Sequence, residues 1–474
     1  MPSSFKPPEN ISRTEYVMTE IKDRLATRKL GPGSKLPSIR NFATTMKVSK
    51  STVVEAYERL AAEGIISSQR GSGFYVTGHI PPLSLTDMGP KLDRAVDPFW
   101  VSRQSLETNE TFLKPGCGWL PTSWMPEDSI GAAMRSLARK GSNSLTEYGT
   151  PLGFAPLRHH LSRRIDAQNI DVSPDQIILT DSGTQAIDLL CRFFLEPGDT
   201  VLVDDPCYFN FNALLRVHRA KIVAVPYTPA GPDVEQFKAI LKDHKPRLYI
   251  TNSGFHNPTG ASISPITAHK LLILAEQFNL TIIEDDIFGD FETTPAPRLA
   301  SFDGLERVIY IGSFSKTISA SVRCGYIAAR PDWIDGLVDL KIATSFGGNV
   351  FNAELIWHVL KNGSYRRHIQ DLRERLAKAR IDVQSKLESL GITPWITPKG
   401  GMYLWCRLPD GIDSAQLAQS ALPQNIVLAP GNVFSVSGTA SQFMRFNVAQ
   451  SLQPNLYATL ALELENLWSK KEGG

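Results

Sequence analysis

The chain has 474 residues, more than one compact core usually holds, so we expect two or more domains. Hydrophobic residues make up 42% of it and charged residues 21%, and no apolar run approaches the roughly 20 residues of a membrane span, which predicts a soluble protein without membrane contact. The net charge is +2. The five cysteines show no CxxC spacing, which argues against a disulfide framework and a zinc site. The first residues lack the apolar core of a signal peptide, so we expect a cytoplasmic protein.

The N-terminal region shows a helical pattern and a mild positive charge. Residues 1–80 hold 12 Lys and Arg against 7 Asp and Glu, whereas the remainder holds 38 against 41. Apolar residues at helical spacing predict three helices, the second starting at Pro37 and Ser38 and the third at Lys50 or Ser51. The stretch IISSQRGSGFYV then predicts two strands joined by a glycine turn. We therefore predict a winged helix-turn-helix domain over residues 1–78.

Such a domain places the start of its third helix in the DNA major groove and its hairpin over an adjacent groove. Hydroxyls and cations at those places are able to contact bases and phosphates. The predicted DNA-contacting residues are Lys35, Ser38, Arg40, Ser49, Lys50, Ser51, Thr52, Arg70, Gly71, Ser72 and Gly73. The pattern alone also allows a helical protein-interaction domain with a solvated polar face.

A known family shares this N-terminal pattern. The stretch GSKLPSIRNFATTMKVSKSTVVEAYERLAAEGII resembles the GntR family of winged-helix repressors, with Phe42 and Lys50 as mild departures from its usual Leu and Arg. A lysine makes a less fixed contact than an arginine, because it lacks the planar fork of donors. The resemblance implies that this domain binds double-stranded DNA.

Residues 79–114 are rich in proline and polar residues and have no sustained periodicity. We predict that they form a linker, in which Phe99 and Trp100 are candidates for docking on a domain. Globular composition returns at residue 115, so the second predicted domain covers residues 115–474.

In this second domain, short buried strands alternate with amphipathic helices, which predicts an α/β domain with a largely parallel sheet. Ligands of such sheets bind at the carboxyl ends of the strands. Polar residues follow four predicted strands, in the stretches DSGTQ, NPTG, IIEDDIF and IGSFSK. We expect these residues to lie in one layer and to form a ligand site.

The residue types in that layer suit pyridoxal phosphate. Hydroxyls, a helix start and Arg323 suit a phosphate. Lys316 is able to form a Schiff base with an aldehyde, and Asp285 to keep a pyridine nitrogen protonated. Taken alone, the spacing also allows a solvated Lys316, an Asp285 that caps a turn and an Asn257 in an ordinary turn.

Residues 115–465 resemble the class I/II aminotransferases of fold type I. The motifs YGxxxG, SGTQ, PxY, NPTG, EDD, SxSK with RxG, and GGMYLW occur in that family's order and spacing. The resemblance implies that Lys316 carries the Schiff base, that Asp285 pairs with the pyridine nitrogen and that Asn257 bonds the ring 3-oxygen. Further implied cofactor contacts are Ser182, Gly183, Thr184, Tyr208, Ser313, Ser315 and Arg323, with Tyr148 reaching the neighbouring subunit's phosphate. Arg445 matches the arginine that takes a substrate carboxylate, a pairing that suits a bidentate guanidinium.

One position departs from the aminotransferase pattern. Where the family often has a tyrosine that also bonds the ring 3-oxygen, this chain has Phe288. Loss of that donor leaves binding of the cofactor in place but predicts weak or residual transamination at most.

The order of the two predicted domains resembles the MocR/GabR class of bacterial transcriptional regulators. That resemblance implies a homodimer and a regulator that senses an amino acid or amine through the Schiff base on Lys316. Two alternatives stay open: an active aminotransferase with an accessory DNA-binding domain, and a regulator for which pyridoxal phosphate is itself the signal.

Overall fold

The structure is a computed structural model that describes residues 12–27, 29–31, 33–69, 72–77, 98–107, 111–140 and 145–472. The chain divides into two compact units, Met1–Met88 and Gly89–Gly474. Each unit has a hydrophobic core of its own. None of the helices in the described ranges is long and apolar enough to cross a membrane.

The first unit consists of three helices followed by a hairpin. Its elements are α1 (Arg13–Ala26), α2 (Ile39–Met46), α3 (Lys50–Ala62), β1 (Ile66–Gln69) and β2 (Gly73–Val76). The two strands pair antiparallel, with Ile66 opposite Val76. This arrangement confirms the predicted winged helix-turn-helix.

The turn between α2 and α3 follows from local capping. Ser38 and Ser49 are the N-cap residues of α2 and α3, and their hydroxyls accept hydrogen bonds from the backbone N–H groups of Asn41 and Thr52. Between the helices, Lys47 adopts a left-handed conformation with φ of 54°, which ends α2 sharply. The starts of both helices therefore lie where the sequence pattern placed them.

The second unit contains a large sheet and a small one. Its strands are β3 (Ile177–Thr180), β4 (Thr200–Asp205), β5 (Lys221–Thr228), β6 (Gly231–Pro232), β7 (Leu248–Thr251), β8 (Thr281–Asp285), β9 (Val308–Ser313), β10 (Gly325–Ala328), β11 (Thr393–Pro394), β12 (Tyr403–Arg407), β13 (Ala429–Pro430) and β14 (Phe443–Asn447). The large sheet has the order β3-β10-β9-β8-β7-β4-β5-β6. Strands β5, β4, β7, β8 and β9 pair parallel, and β10 runs antiparallel to both of its neighbours. The predicted largely parallel sheet is thus present.

Helices pack against the two faces of the large sheet and around the small sheet. They are α4 (Pro98–Glu107), α5 (Glu127–Lys140), α6 (Ala155–Asp166), α7 (Gly183–Phe194), α8 (Phe209–Val217), α9 (Val234–His244), α10 (Pro265–Gln277), α11 (Leu299–Asp303), α12 (Pro331–Ser345), α13 (Val350–Leu360), α14 (Ser364–Glu388), α15 (Ser414–Ala421) and α16 (Pro454–Glu472). Successive strand residues point to opposite faces. Leu202 and Ile282 therefore join one core, whereas Val203 and Ile283 join the other.

The small sheet has the order β11-β12-β14-β13 and is antiparallel between β12 and β14. In that pair Tyr403 lies opposite Asn447, and Trp405 lies opposite Arg445. Because side chains two residues apart share a face, Tyr403 and Arg445 project from the same face of this sheet.

Helix α4 lies inside the stretch predicted as a linker, residues 79–114. Its Val101 is 2% exposed and belongs to a cluster with Phe209 of α8, Trp405 of β12 and Phe434. Trp100 packs partly against the same cluster, in the docking position that the sequence suggested for it. The segment between the predicted domains therefore contains a helix packed on the second unit.

Candidate ligand-binding site and nucleic-acid interface

A cavity of about 330 Å³ lies at the carboxyl ends of the strands of the large sheet. It is lined by every predicted cofactor residue except Tyr148, and by the predicted carboxylate-binding arginine. Those lining residues are Ser182, Gly183, Thr184, Tyr208, Asn257, Asp285, Ser313, Ser315, Lys316, Arg323 and Arg445. The structure thus brings together residues from the ends of five strands of the large sheet (β3, β4, β7, β8 and β9) and from β14, which are far apart in sequence.

Lys316 lies just after β9 and points its amine into this cavity. Its Nζ donates a hydrogen bond to the backbone carbonyl of Gly118 at 2.6 Å. Burial, and next the nearby charge of Arg445, lower the pKa of the Lys316 amine to about 8. A substantial neutral fraction near neutral pH makes this amine a competent nucleophile.

Asp285 is the last residue of β8, on the strand next to the one that leads to Lys316. Its Oδ1 accepts a hydrogen bond from the backbone N–H of Ile287 at 3.1 Å, and its backbone carbonyl accepts one from Asn252 at 2.9 Å. Burial raises the pKa of the Asp285 carboxyl to about 7, although these hydrogen bonds oppose the rise. A cation placed beside it in the cavity would favour the carboxylate.

The start of α7 and the end of β9 form a polar pocket wall. Ser182 is the N-cap of α7 and accepts a hydrogen bond from Gln185 N–H at 3.0 Å. Ser313 and Ser315 lie next to it, with their hydroxyl oxygens 3.0 Å apart. A Cβ at Gly325 would stand 2.6 Å from the Ser182 carbonyl carbon, so only glycine permits β10 to approach this turn. Helix N-termini and hydroxyls of this kind suit a phosphate.

Arg445 is 1% exposed and has only neutral hydrogen-bond partners in the described part of the chain. Its Nη1 donates to Asn257 Oδ1 at 2.9 Å and its Nη2 donates to the Gly116 carbonyl at 2.7 Å, while its Nε has no partner. The guanidinium carbon lies 4.2 Å from the ring centroid of Tyr403. A buried cation with a free donor and no paired carboxylate is suited to receive an anion.

The first unit presents the predicted DNA-contacting side chains in two groups. Ser38 and Arg40 at the start of α2 are exposed, as are Ser49, Lys50 and Ser51 at the start of α3, and Thr52 is half-buried. The Ser49 hydroxyl lies within 2.8 Å of the hydroxyls of Ser51 and Thr52, so it serves the helix cap as well as the surface.

The second group lies on the hairpin. The backbone of Lys35 forms an isolated antiparallel β-bridge with Tyr75, and the Lys35 Nζ is 5.9 Å from the ring centroid of that tyrosine. A Cβ at Gly73 would contact the end of Lys35 at 3.4 Å, and the Ser72 hydroxyl lies 2.6 Å from the Tyr75 hydroxyl. Tyr75 was not among the predicted residues, since a tyrosine within a strand reads as a core residue. The predicted contacts Arg70 and Gly71 lie outside the described residues.

Comparison with known families decides the identity of the second unit. Residues 121–460 match the family described as aminotransferase class I and II. The chain belongs to this family. Residues 13–76 match the family of bacterial regulatory proteins of the gntR type and form its helix-turn-helix domain. The resemblances predicted for both halves are confirmed.

Relatives and solved structures agree with these matches. The chain is 28% identical to the uncharacterized HTH-type transcriptional regulator YdfD of Bacillus subtilis over 98% of each chain. It is 28% identical to the HTH-type transcriptional regulator NorG of Staphylococcus aureus, over 89% of this chain and 97% of that one.

Among solved structures, the chain resembles LysN, the α-aminoadipate aminotransferase of Thermus thermophilus, complexed with N-(5'-phosphopyridoxyl)-L-leucine (TM-score 0.70, 27% identity, 77% of this chain and 95% of that one). It also resembles the kynurenine aminotransferase of Pyrococcus horikoshii in complex with PMP (TM-score 0.72, 26% identity, 80% of this chain and 96% of that one).

Several cavity residues of this aminotransferase-family unit escaped prediction. Val101, Ser102, Ser105 and Leu106 of α4 line the cavity, although the sequence marked their segment as a linker. Gly118 lines it as well, because Asn447 holds the neighbouring carbonyls of Cys117 and Trp119 at 3.1 and 2.8 Å. Such residues carry no signal of their own, since only the packed fold brings them to the cavity.

Tyr148 lies apart from this cavity. Its side chain is 84% exposed and its ring centroid is 4.9 Å from that of Phe346, which is 63% exposed. Within this chain it contacts none of the predicted phosphate-binding residues, so its predicted role toward a neighbouring subunit stays a prediction.

Proposed function

We propose that this protein is a pyridoxal-phosphate-dependent, DNA-binding transcriptional regulator whose aminotransferase-family unit binds an amino acid or an amine. The observation that carries the proposal is the single cavity that collects Lys316, Asp285, Arg445 and the serine-lined turn, in a chain that begins with a winged helix-turn-helix. The curated relatives named above are called HTH-type transcriptional regulators, which supports the same function. Such a regulator acts in the cytoplasm.

The cavity fits pyridoxal phosphate in shape and charge. Gly118 leaves open the space that a Cβ would fill, because such an atom would stand 3.7 Å from Lys316 Nζ within the cavity. Asp285 is buried and forms no salt bridge with any residue that the structure describes, so a protonated ring nitrogen would supply a positive charge beside it. The Thermus and Pyrococcus aminotransferases hold phosphopyridoxyl groups in the same fold.

The residues that would hold the cofactor follow from this fit. Lys316 would join its aldehyde carbon, Asp285 its ring nitrogen, Asn257 its ring oxygen and Tyr208 its ring face. Its phosphate would lie among Ser182, Gly183, Thr184, Ser313, Ser315 and Arg323. Pyridoxal phosphate supplies an electron sink for chemistry at the amine-bearing carbon of a bound ligand.

The chain's own side chains set which ligands enter. Arg445 provides a buried positive charge with a free Nε donor, which favours a carboxylate at that end of the cavity. The amine of Lys316, with its pKa lowered to about 8, holds or releases a proton near neutral pH at the other end. The apolar side chains of Val101 and Phe209, which are buried, line the same cavity and favour an apolar part of the ligand there.

Helix α4 links the ligand to the DNA-binding function in our proposal. It lines the cavity, and it is the first element that the structure describes after the winged-helix unit. A ligand changes DNA affinity only if it binds two arrangements of the protein with different affinities. We propose that ligand contact with α4 provides this difference, because α4 follows the segment that leads from the winged-helix unit, and a shift of α4 moves the end of that segment.

We further propose that the protein works as a homodimer. The contacting rings of Tyr148 and Phe346 are 84% and 63% exposed, although monomeric proteins rarely leave large apolar side chains so open in one patch. Burial of this patch by a second copy would bring Tyr148 to a neighbouring subunit, as the aminotransferase resemblance implies. Sedimentation of the wild type and of a Phe346→Asp variant tests this, since a monomeric wild type would refute it.

An active aminotransferase is the second candidate function. It is favoured by the presence of Lys316, Asp285 and Arg445 in one cavity, and by solved relatives that are named aminotransferases. The buried Phe288 opposes it, since no hydroxyl is available at that position.

One experiment separates these functions. The holoprotein is titrated with a panel of amino acids and amines while its visible absorption, oxo acid release and affinity for promoter DNA are recorded. The proposal expects a compound that changes both the absorption band and DNA affinity without sustained oxo acid release. Sustained release identifies an enzyme, and DNA affinity that responds to pyridoxal phosphate alone identifies the vitamin as the signal.

A further inference from the structure

The residue that follows Lys316 is held by a polar group that does not line the cavity. Thr317 is 1% exposed, and its hydroxyl lies 3.0 Å from the Tyr365 hydroxyl and 3.4 Å from Asp290 Oδ2. The Tyr365 hydroxyl donates to the same Asp290 oxygen at 2.6 Å. Because burial raises the pKa of this phenol, Tyr365 keeps its proton for that bond, and Thr317 supplies its own proton to the group.

Asp290 is itself fixed from two helices. Its Oδ1 accepts a hydrogen bond from Arg164 Nη2 of α6, and its backbone carbonyl accepts one from Arg373 Nε of α14 at 2.9 Å. A hydrogen bond between a guanidinium and a carboxylate is stronger than one between neutral groups. The Asp290 carboxylate therefore provides a fixed point to which Thr317 is tied.

The backbone around Lys316 is held as well. His368 of α14 donates from Nε2 to the Thr317 carbonyl at 2.8 Å, since a carbonyl oxygen only accepts. The Ile318 N–H donates to the Phe314 carbonyl at 2.9 Å, which closes a turn around Lys316. Contacts made outside the cavity thus fix the backbone from which the Lys316 side chain projects into it.

The Lys316 amine needs such support because its own stem is flexible. A lysine carries its charge at the end of four rotatable carbons, so the amine is placed only as well as its backbone is. In this structure Lys316 Nζ reaches the Gly118 carbonyl at 2.6 Å. A misplacement of about 1 Å in a reacting group is able to cost roughly a hundredfold in rate.

We propose that Thr317 is a positioning residue that, through Asp290 and Tyr365, holds the Lys316 amine where it condenses with the aldehyde of pyridoxal phosphate. In that step the nitrogen lone pair attacks the aldehyde carbon and a C=N bond forms, while the aldehyde oxygen leaves as water with both protons of the neutral amine. The inference rests on the proposed function, and it assigns part of that function to residues outside the cavity.

The test compares two phosphates on the apoprotein of the full chain. Pyridoxal phosphate carries the aldehyde, whereas pyridoxine phosphate has an alcohol in its place and cannot condense with an amine. Dissociation constants for both are measured by fluorescence titration. A defect in folding or in the phosphate pocket weakens both compounds, but a misplaced Lys316 amine weakens the aldehyde alone.

Thr317→Val is the first variant, because it replaces the hydroxyl by a methyl group and leaves the bond from Tyr365 to Asp290 in place. We expect it to lower the affinity for pyridoxal phosphate about tenfold and that for pyridoxine phosphate less than about twofold. Thr317→Ser keeps the hydroxyl and should restore the wild-type affinity. Tyr365→Phe removes the neighbouring hydroxyl and should produce the same selective loss.

Thr251→Val is the matched control. Thr251 is also 1% exposed, and its hydroxyl donates to a carboxylate oxygen of Asp204 at 2.7 Å, without lining the cavity. Its loss should leave the ratio of the two affinities unchanged.

An equal loss for both phosphates in Thr317→Val and Tyr365→Phe would assign these hydroxyls a merely structural role and overturn the inference. Unchanged affinity for pyridoxal phosphate in both variants would overturn it too, while leaving the proposed function in place. A wild type that binds neither phosphate would overturn the proposed function together with the inference.

Discussion

Lys316 and Gly118 are 198 residues apart, yet the lysine amine donates a hydrogen bond to the glycine carbonyl at 2.6 Å. The contact joins the end of β9 to the segment that follows α4. A reactive amine is thereby held beside a stretch of backbone whose glycine leaves room for a ligand.

The first prediction concerns this amine. Lys316→Ala should abolish the visible absorption band of the cofactor-bound protein and the response of DNA affinity to any amino ligand, because no other described lysine lines the cavity. Basal DNA affinity should change less than twofold, since the winged-helix unit has its own core. Absorption spectra and fluorescence anisotropy with promoter DNA measure both effects.

Lys386→Ala provides the control for this variant, as it removes a partly exposed lysine that pairs with Asp382 outside the cavity. A Lys316→Ala protein that still responds fully to an amino ligand would contradict covalent sensing.

The second prediction follows from the pKa of Lys316, which burial and Arg445 lower to about 8. Only the neutral amine attacks an aldehyde, so the rate at which apoprotein takes up pyridoxal phosphate should rise about tenfold per pH unit below 8 and level off above it. Stopped-flow absorbance between pH 6 and pH 10 measures the profile.

Arg445→Gln tests the cause of this shift. Loss of a like charge favours the protonated amine, so the midpoint of the rate profile should move to higher pH. An unchanged midpoint would mean that burial alone lowers the pKa of Lys316.

Much of this architecture could be predicted because its causes are local. Ser38 and Ser49 are typical N-cap residues, so the starts of α2 and α3 could be predicted from them. The strands that end at Asp285 and Ser313 are short buried apolar runs, which are recognisable in the sequence. Since parallel strands share one carboxyl edge, the polar residues after them could be expected in one site.

The rest depends on packing between distant segments. Helix α4 is ten residues long, and its inner face is recognisable only beside Phe209 and Trp405, which the chain adds more than a hundred residues later. The contact of Tyr403 with Arg445 likewise requires the pairing of β12 with β14. Neither relationship leaves a periodic signal in the sequence.

The third prediction concerns Phe288, which is buried at the position where the aminotransferase pattern often has a tyrosine. Phe288→Tyr should increase the rate of oxo acid release about tenfold, because one added hydrogen-bond donor to a developing charge is worth roughly 1.5 kcal/mol or more. Coupled assays with a panel of amino acids measure turnover. Phe291→Tyr, which adds the same hydroxyl to a neighbouring buried ring outside the cavity, should bring no gain.

The fourth prediction concerns the exposed start of α3. Lys50→Ala should weaken DNA binding and reduce the slope of log affinity against log salt by about one, because one phosphate contact is lost. Lys22→Ala is its control, since Lys22 lies on α1 and pairs with Glu63. A salt slope that Lys50→Ala leaves unchanged would assign this lysine to base contacts or to none.

The fifth prediction concerns the coupling between ligand and DNA. Val101 is 2% exposed between α4 and the cluster of Phe209, Trp405 and Phe434, so Val101→Ala should cost about 2 kcal/mol of the packing that holds α4. The variant should bind DNA normally without ligand and should show a ligand response of DNA affinity reduced several-fold. Ligand affinity should fall as well, because α4 lines the cavity.

Val338→Ala on α12 is a matched loss of methyl groups away from α4 and should keep the full response. If Val101→Ala keeps it too, α4 is a passive wall of the cavity, and the signal must leave the aminotransferase-family unit by another route.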